Sequence, residues 1–321
     1  MISDTGTQLN TSSCLSSQLT SITYPIYYIT RPNVFPGMSN QFMVAAVPFI
    51  IYWATSLIFH VLDLGDWKWS HKYKNHDSTE VQRNLASRWD VVKAVILQQI
   101  TQVFLGSLLT AGDPVESTVK HALEMQNIAL AIFRTLHCLM SSDVAEWTSN
   151  FVGKELAHYV YWWVIPIAQL GMFVMDTWQY FLHRAFHSNK FLYKHVHSMH
   201  HRLFAPWAYG AWYNHPLEGL LDSMGAVLSG AVAGLSNRQT ILFFSISACK
   251  AVDDHSGYNL PWDPFKILSA NTPDFHDIHH QVNGMKFNFS QPFFIHWDIV
   301  LGTRITRKEL QSLKVQEKKA A

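Results

Sequence analysis

The sequence predicts an all-α integral membrane protein with about four membrane-embedded helices or hairpins and a cytosolic, histidine-rich helical core. Three observations predict it. Hydrophobic residues make up 48% of the 321 positions and charged residues only 15%, against about 25% charged in an average soluble domain. Apolar runs recur at a length that crosses the roughly 30 Å hydrocarbon core of a bilayer. Eleven of the 18 histidines fall between positions 183 and 280. The formal net charge of +1 provides no basic field of the kind a nucleic-acid partner requires.

Residues 1–40 are rich in Ser and Thr, hold no Lys or Arg before Arg31 and lack the basic start of a signal peptide, so they read as an irregular, polar lumenal tail. Residues 41–175 are read as transmembrane helices. Phe42 to Leu62 runs for about 20 residues without a charge and is the first span. The loop from 63 to 90 carries Lys68, Lys72, Lys74, Arg83 and Arg88, a basic excess that places it in the cytosol. Val91 to Ala111 is a second span. Its Lys93 snorkels from one end, and Gln98, Gln99 and Gln102 face other helices.

Asp113-Pro114 starts an amphipathic or re-entrant helix whose apolar residues recur from Leu123 to Met140. Leu156 to Met175 is a third span, with aromatic residues at its start, and it returns the chain to the cytosol. Residues 176–305 form the histidine-bearing domain. Within it, Leu217 to Lys250 reads as a re-entrant hairpin or helical pair broken at Asn237-Arg238-Gln239, and Asp253 to Asp263 reads as a loop. Residues 306–321 form a basic cytosolic tail in which Lys318 and Lys319 resemble a dilysine retrieval signal of the endoplasmic reticulum.

The chemistry lies in three histidine boxes: His183-x3-His187, His197-x2-His200-His201 and His276-x2-His279-His280. On a helix, positions i, i+3 and i+4 share one face, so each box is expected to aim its imidazoles at one point. Isolated histidines are ordinary, but eight in three such boxes point to metal. Eight exceed the needs of one zinc ion, and Cys14, Cys138 and Cys249 lack the spacing of an iron–sulfur or disulfide framework. A di-metal core in an all-imidazole cage remains, with the metal left open among those that imidazole suits.

These boxes on a chain with hydrophobic spans resemble the membrane fatty-acid hydroxylase superfamily, which includes sterol desaturases and C4-methyl sterol oxidases. The words VMDTWQYFLHR, YNHPLEG, VDDHSGY and FHDIHHQVNGMKFNFSQPFF resemble its sphingolipid C4-hydroxylases. The resemblance spans roughly residues 40 to 305. It implies a di-iron centre, with zinc able to replace iron in the protein as prepared, O2, and electrons from cytochrome b5 or an NAD(P)H-dependent reductase. It also implies a long-chain sphingoid base or ceramide as substrate, in the endoplasmic reticulum membrane. A sterol C4-methyl oxidase, a lipid desaturase and a non-catalytic metal-binding scaffold are the alternatives.

His255, in the Asp-Asp-His word that the family shares, is expected as a further ligand, with Asp254 a ligand or a group that orients one. His215 stays open between a ligand, a donor to one and a head-group contact. Asp176 projects about 20° from His183 on a helix and is expected to orient a ligand. If Lys194 to His201 is helical, His195 points about 160° from His197, away from the metal.

Overall fold

A computed structural model of the chain describes residues 33–110, 118–148, 153–161 and 171–320. Most of the N-terminal tail, the Asp113-Pro114 start and residues 162–170 of the third apolar run lie outside the described residues. In chain order the first helices are α1 (Asn40–Gly65), α2 (Lys68–His71), α3 (Ser78–Val81), α4 (Arg88–Thr110), α5 (Thr118–Leu139), α6 (Ser142–Thr148) and α7 (Lys154–Tyr159). They are followed by α8 (Gly171–Ser188), α9 (Lys190–His195), α10 (Pro216–Val232), α11 (Asn237–Asp254), α12 (Pro264–Leu268), α13 (Pro273–His280), α14 (His296–Val300) and α15 (Arg307–Ala320). Among the described residues the architecture is helical, with a single β-bridge between Lys74 and Tyr258.

The chain divides into two compact units, 1–39 with 114–166, and 40–113 with 167–321. In the first, α5 packs on α6 and α7. In the second, α1 lies along α11 and also meets α4, so the first apolar helix and the histidine-bearing domain share one core. Tyr52 of α1 is fully buried in that core; its hydroxyl donates to the Tyr209 carbonyl at 2.7 Å and its ring stacks on Trp212 at 4.3 Å. Val91, Val95, Leu203, Ala248 and Val252 complete the cluster, which clamps the backbone that leaves the second histidine box.

The far side of α1 has no such partner. Ile50, Leu57, Ile58, Val61 and Leu64 are all exposed, and only 22% of the helix's most apolar 18-residue window is buried. A core helix of a water-soluble protein has the reverse pattern, whereas a helix in lipid shows its apolar side chains outward. Among the described residues α1 is the one helix long and apolar enough to cross a membrane. The expected span Val91 to Ala111 is helical in α4 as far as Thr110, and three glutamines interrupt its apolar residues. They face other helices, as their positions suggest: Gln98 and Gln99 are buried, and the Gln102 amide donates to the Gly219 carbonyl at 3.2 Å and to Ser223 Oγ at 2.7 Å.

The break between α10 and α11 comes earlier than the sequence suggests. Gly234 takes a positive φ of 63°, and Ser236 caps α11 through a reciprocal pair of bonds with Gln239. Asn237-Arg238-Gln239 therefore opens the second helix instead of linking the two. That helix also runs into the expected loop, as far as Asp254, which places His255 at its C-terminal end.

Candidate metal centre

α8 presents Met172, Met175, Asp176, Gln179, Tyr180, His183 and Phe186 on one buried face, the i, i+3, i+4 stripe of a packed helix, and His187 follows His183 by one turn. The second box departs from the helix assumed for it. α9 ends at His195, and His197–Arg202 is a 3-10 helix. At three residues per turn His197 and His200 eclipse, separated by about 6 Å of rise. Their rings stand nearly parallel, 5.5 Å apart. On α13, started by Thr272 as cap and Pro273 at its first turn, His276 and His279 stand 5.8 Å apart in the same manner.

The boxes therefore do not each aim at one point. Pairs four residues apart share a centre, and pairs three apart are split between two. The ligand nitrogens of His183, His187, His197, His201 and His279 lie within 4.8 Å of one another, as do those of His200, His255, His276 and His280. The second cluster takes one histidine from box two, two from box three and His255. The clusters are neighbours, with the His201 and His280 rings 4.9 Å apart.

Within each cluster the Nε2 atoms converge. His201 Nε2 is 3.1 Å from Nε2 of both His187 and His197, and His276 Nε2 is 3.0 Å from that of His255 and 3.2 Å from that of His280. Around an ion with metal–nitrogen bonds of about 2.1 Å, adjacent ligands stand ~3.0–3.4 Å apart and opposite ones ~4.2 Å. The four Nε2 pairs at 3.0–3.2 Å fall in the range for adjacent ligands. The opposite ring edges set the tautomer: Nδ1–H of His183 donates to the Phe289 carbonyl at 2.9 Å, of His279 to Phe287 at 2.7 Å, of His280 to Leu203 at 2.9 Å and of His255 to Ala251 at 2.8 Å. Each bond leaves the Nε2 lone pair for the centre. Nε2 of His183 and of His279 is buried and meets no hydrogen-bond partner, so the donor set fits two imidazole-bound metal ions.

Burial, reinforced by neighbouring imidazoles, pushes His183 down to about 4 and His200 and His255 to about 3. His197, His201, His276, His279 and His280 are lowered well below their ordinary value for the same reasons. The cage is thus neutral, the form that binds metal. An unfolded histidine titrates near 6.5, so this contribution is complete above about pH 6.5 and is lost as pH falls through that value toward about 4. Asp253, raised by burial and by Asp254 to about 8, Asp222, raised by burial to about 7, Asp254, raised by burial to about 6, and Glu218 and Asp176, raised by burial, act in the opposite sense but are outnumbered by the imidazoles. The metal-free protein is expected to lose thermal stability steadily from pH 6.5 to 4. A melting temperature that holds level across that window would mean that the imidazoles are already charged in the fold.

The remaining expected site residues serve other parts. Asp176 orients no histidine; its two oxygens accept the Phe293 and Phe294 N–H groups at 3.0 and 2.6 Å, fixing the segment beyond box three. Asp254 pairs with buried Lys250 one turn earlier on α11. His215 lies outside both clusters, where its Nδ1 accepts the Leu217 N–H at 3.2 Å and caps α10. His195 is exposed against Phe191, away from the clusters.

Sequence reasoning missed the groups that hold the ligands. Buried Glu218 accepts from His197 Nδ1 at 2.7 Å. Asp277, between the ligands of box three, is gripped by His76 from the basic loop and by Arg307 Nη2 at 2.5 Å. Carboxylates beside a histidine box were the available signal, but carbonyl partners leave no trace in residue type.

A cavity of about 290 Å³ opens from His197, His200, His255 and His276. Its outer wall is apolar, with Val44, Ala45, Pro48 and Phe49 of α1 and Ala226 and Val227 of α10. Gln98, Gln102, Gln179, Asn214, Glu218 and Asp222 form a polar collar in the same lining, and Glu218 ties it to His197.

Residues 168–303 match the model of the fatty acid hydroxylase family. Sphinganine C4-monooxygenase 2 of Arabidopsis thaliana is 42% identical over 83% of this chain and 88% of its own length. The sphingolipid C4-hydroxylase SUR2 of Saccharomyces cerevisiae is 39% identical over 85% and 74%. A very-long-chain aldehyde decarbonylase of Oryza sativa, GL1-9, is 36% identical over 84% and 90%. No solved structure matches the chain. With identity at this level along most of the length of such relatives, the chain belongs to the fatty acid hydroxylase family, in its sphingolipid C4-hydroxylase branch.

Proposed function

We propose that this enzyme hydroxylates C4 of a saturated long-chain sphingoid base or dihydroceramide, using O2, two irons, and electrons from cytochrome b5 or an NAD(P)H-dependent reductase. The observation that carries the reading is the pair of imidazole clusters at the inner end of a cavity whose outer wall includes the lipid-facing helix α1. The names of the relatives agree with it. His183, His187, His197, His201 and His279 would hold one ion, and His200, His255, His276 and His280 the other. Bound iron supplies the redox chemistry that cleaving an unactivated C–H bond demands, which zinc lacks.

The protein's own part is placement. The apolar wall takes the alkyl chain, and the polar collar stops the head group beside the histidines, so the carbons just below it lie nearest the reacting centre. Glu218 and the four backbone carbonyls hold the imidazoles in the tautomer that turns Nε2 toward the metal centre. An endoplasmic reticulum membrane setting, with the site on the cytosolic side, fits the basic loop before α4.

The rice relative's name suggests a second reading, removal of an aldehyde carbon. Expression in a strain that lacks C4-hydroxylation, followed by mass spectrometry of its lipids, decides between them. Trihydroxy bases are expected. Long-chain hydrocarbons one carbon shorter than an added aldehyde, with no trihydroxy base, would favour the second reading, and altered 4-methyl sterols a sterol oxidase.

A further inference from the structure

The polar collar carries a charge pattern that its metal-holding role does not use. The residues lining the cavity include three carboxylates, Glu218, Asp222 and Asp254, and no Lys or Arg. Asp254 is matched by Lys250 behind the wall. Glu218 and Asp222 stand one turn apart on α10 and have no basic partner. Glu218 gives Oε1 to the neutral His197, while its Oε2 is buried and meets no donor. Asp222 accepts from the Asn214 amide at 3.2 Å and lies beside the Gln179 side chain. Packed against the same turn of α10, Oε1 of buried Gln98 is likewise without a donor. The chain permits this approach through Gly219, where a Cβ would stand 2.4 Å from the Gln98 amide carbon. The buried acceptors of Glu218 and Gln98 that meet no protein donor, together with the Asp222 carboxylate, suit a ligand rich in donors and preferably cationic.

Resting on the C4-hydroxylase reading, we propose that Glu218 and Asp222, with Gln98 beside them, form the binding site for the ammonium group of a free long-chain amino-diol. The covalent structure of such a substrate agrees. Its amine on C2 is three bonds from C4, on the order of 4 Å, so a group that reacts at C4 must hold the ammonium among the residues that touch the ligands. Glu218 touches His197, and Asp222 lies about 6 Å further along the helix axis. N-acylation would remove the cation and add a second alkyl chain, so these carboxylates select the free base over the ceramide.

The test uses the full chain in lipid nanodiscs with Asp222→Asn, which preserves shape and removes the charge. Binding is followed by isothermal titration calorimetry, without turnover. Wild type is expected to bind 2-aminooctadecane-1,3-diol at least ~10-fold more tightly than octadecane-1,3-diol, which lacks the amine, and the variant to lose that preference. In turnover, the ratio of kcat/KM for the free base to that for its N-acetyl form should fall at least ~10-fold in the variant. Equal binding of amine and diol by wild type, or an equal fall for both substrates in the variant, overturns the proposal. Selective binding of the amine together with a hydroxyl placed at another carbon would uphold the ammonium site and remove the C4 assignment instead.

Discussion

Replacing His201 with Ala is expected to lower bound metal from two ions to one per chain and to reduce hydroxylation at least ~100-fold. Its Nε2 is the shared neighbour of those of His187 and His197, so its loss opens the five-histidine cluster at its centre. His276→Ala should have the same double effect through the other ion, because His276 joins His255 to His280. Metal analysis by mass spectrometry, at equal expression, reads the stoichiometry. In the split arrangement His197→Ala and His200→Ala deplete different ions although the residues are three apart. His195→Gln is the control, since its ring stands outside both clusters, and it should keep both ions and most of the activity. Loss of both ions from every variant would mean that the two centres form only together. A full complement in His276→Ala would remove that residue from the ligand set.

Asp298→Ala should destabilise the fold by ~3–6 kcal/mol and release metal in the same transition. Asp298 is fully buried and holds three donors: the Phe289 and Ser290 N–H groups at 3.1 and 2.7 Å and the Thr303 hydroxyl at 2.6 Å. The two amides lose their partner in the alanine variant, and the Thr303 hydroxyl keeps only Tyr180. The effect extends to the metal through Phe289, whose carbonyl accepts from His183. Asp298→Asn keeps one acceptor oxygen and should lie between the two. Thermal denaturation with simultaneous metal release measures both. A loss of metal with no change in melting temperature would separate Asp298 from the framework and make it part of the centre.

The residue types and spacings by themselves determined the chemistry of this protein: neutral imidazoles in numbers that one ion does not need, and pairs four residues apart that a helix brings to one centre. They also determined that Gln98, Gln99 and Gln102 face inward, because lipid rejects them, and that α1 is the helix suited to lipid. His195 was legible as a bystander for a reason that survived the change of geometry, since the chain changes from α-helix to 3-10 helix immediately after it.

Only the tertiary structure decided how the histidines divide. Box spacing describes a single helix, whereas a ligand's centre depends on which neighbour completes it, and His200 is completed by His255, His276 and His280 from α11 and α13. The same limit explains Asp176. Its helical angle beside His183 was read correctly, but it lies two turns away, about 10 Å along the axis, where the partners within reach are the backbone amides of Phe293 and Phe294. Angle follows from sequence; the group waiting at that angle comes from a segment more than a hundred residues away, and burial makes the hydrogen bond between them obligatory.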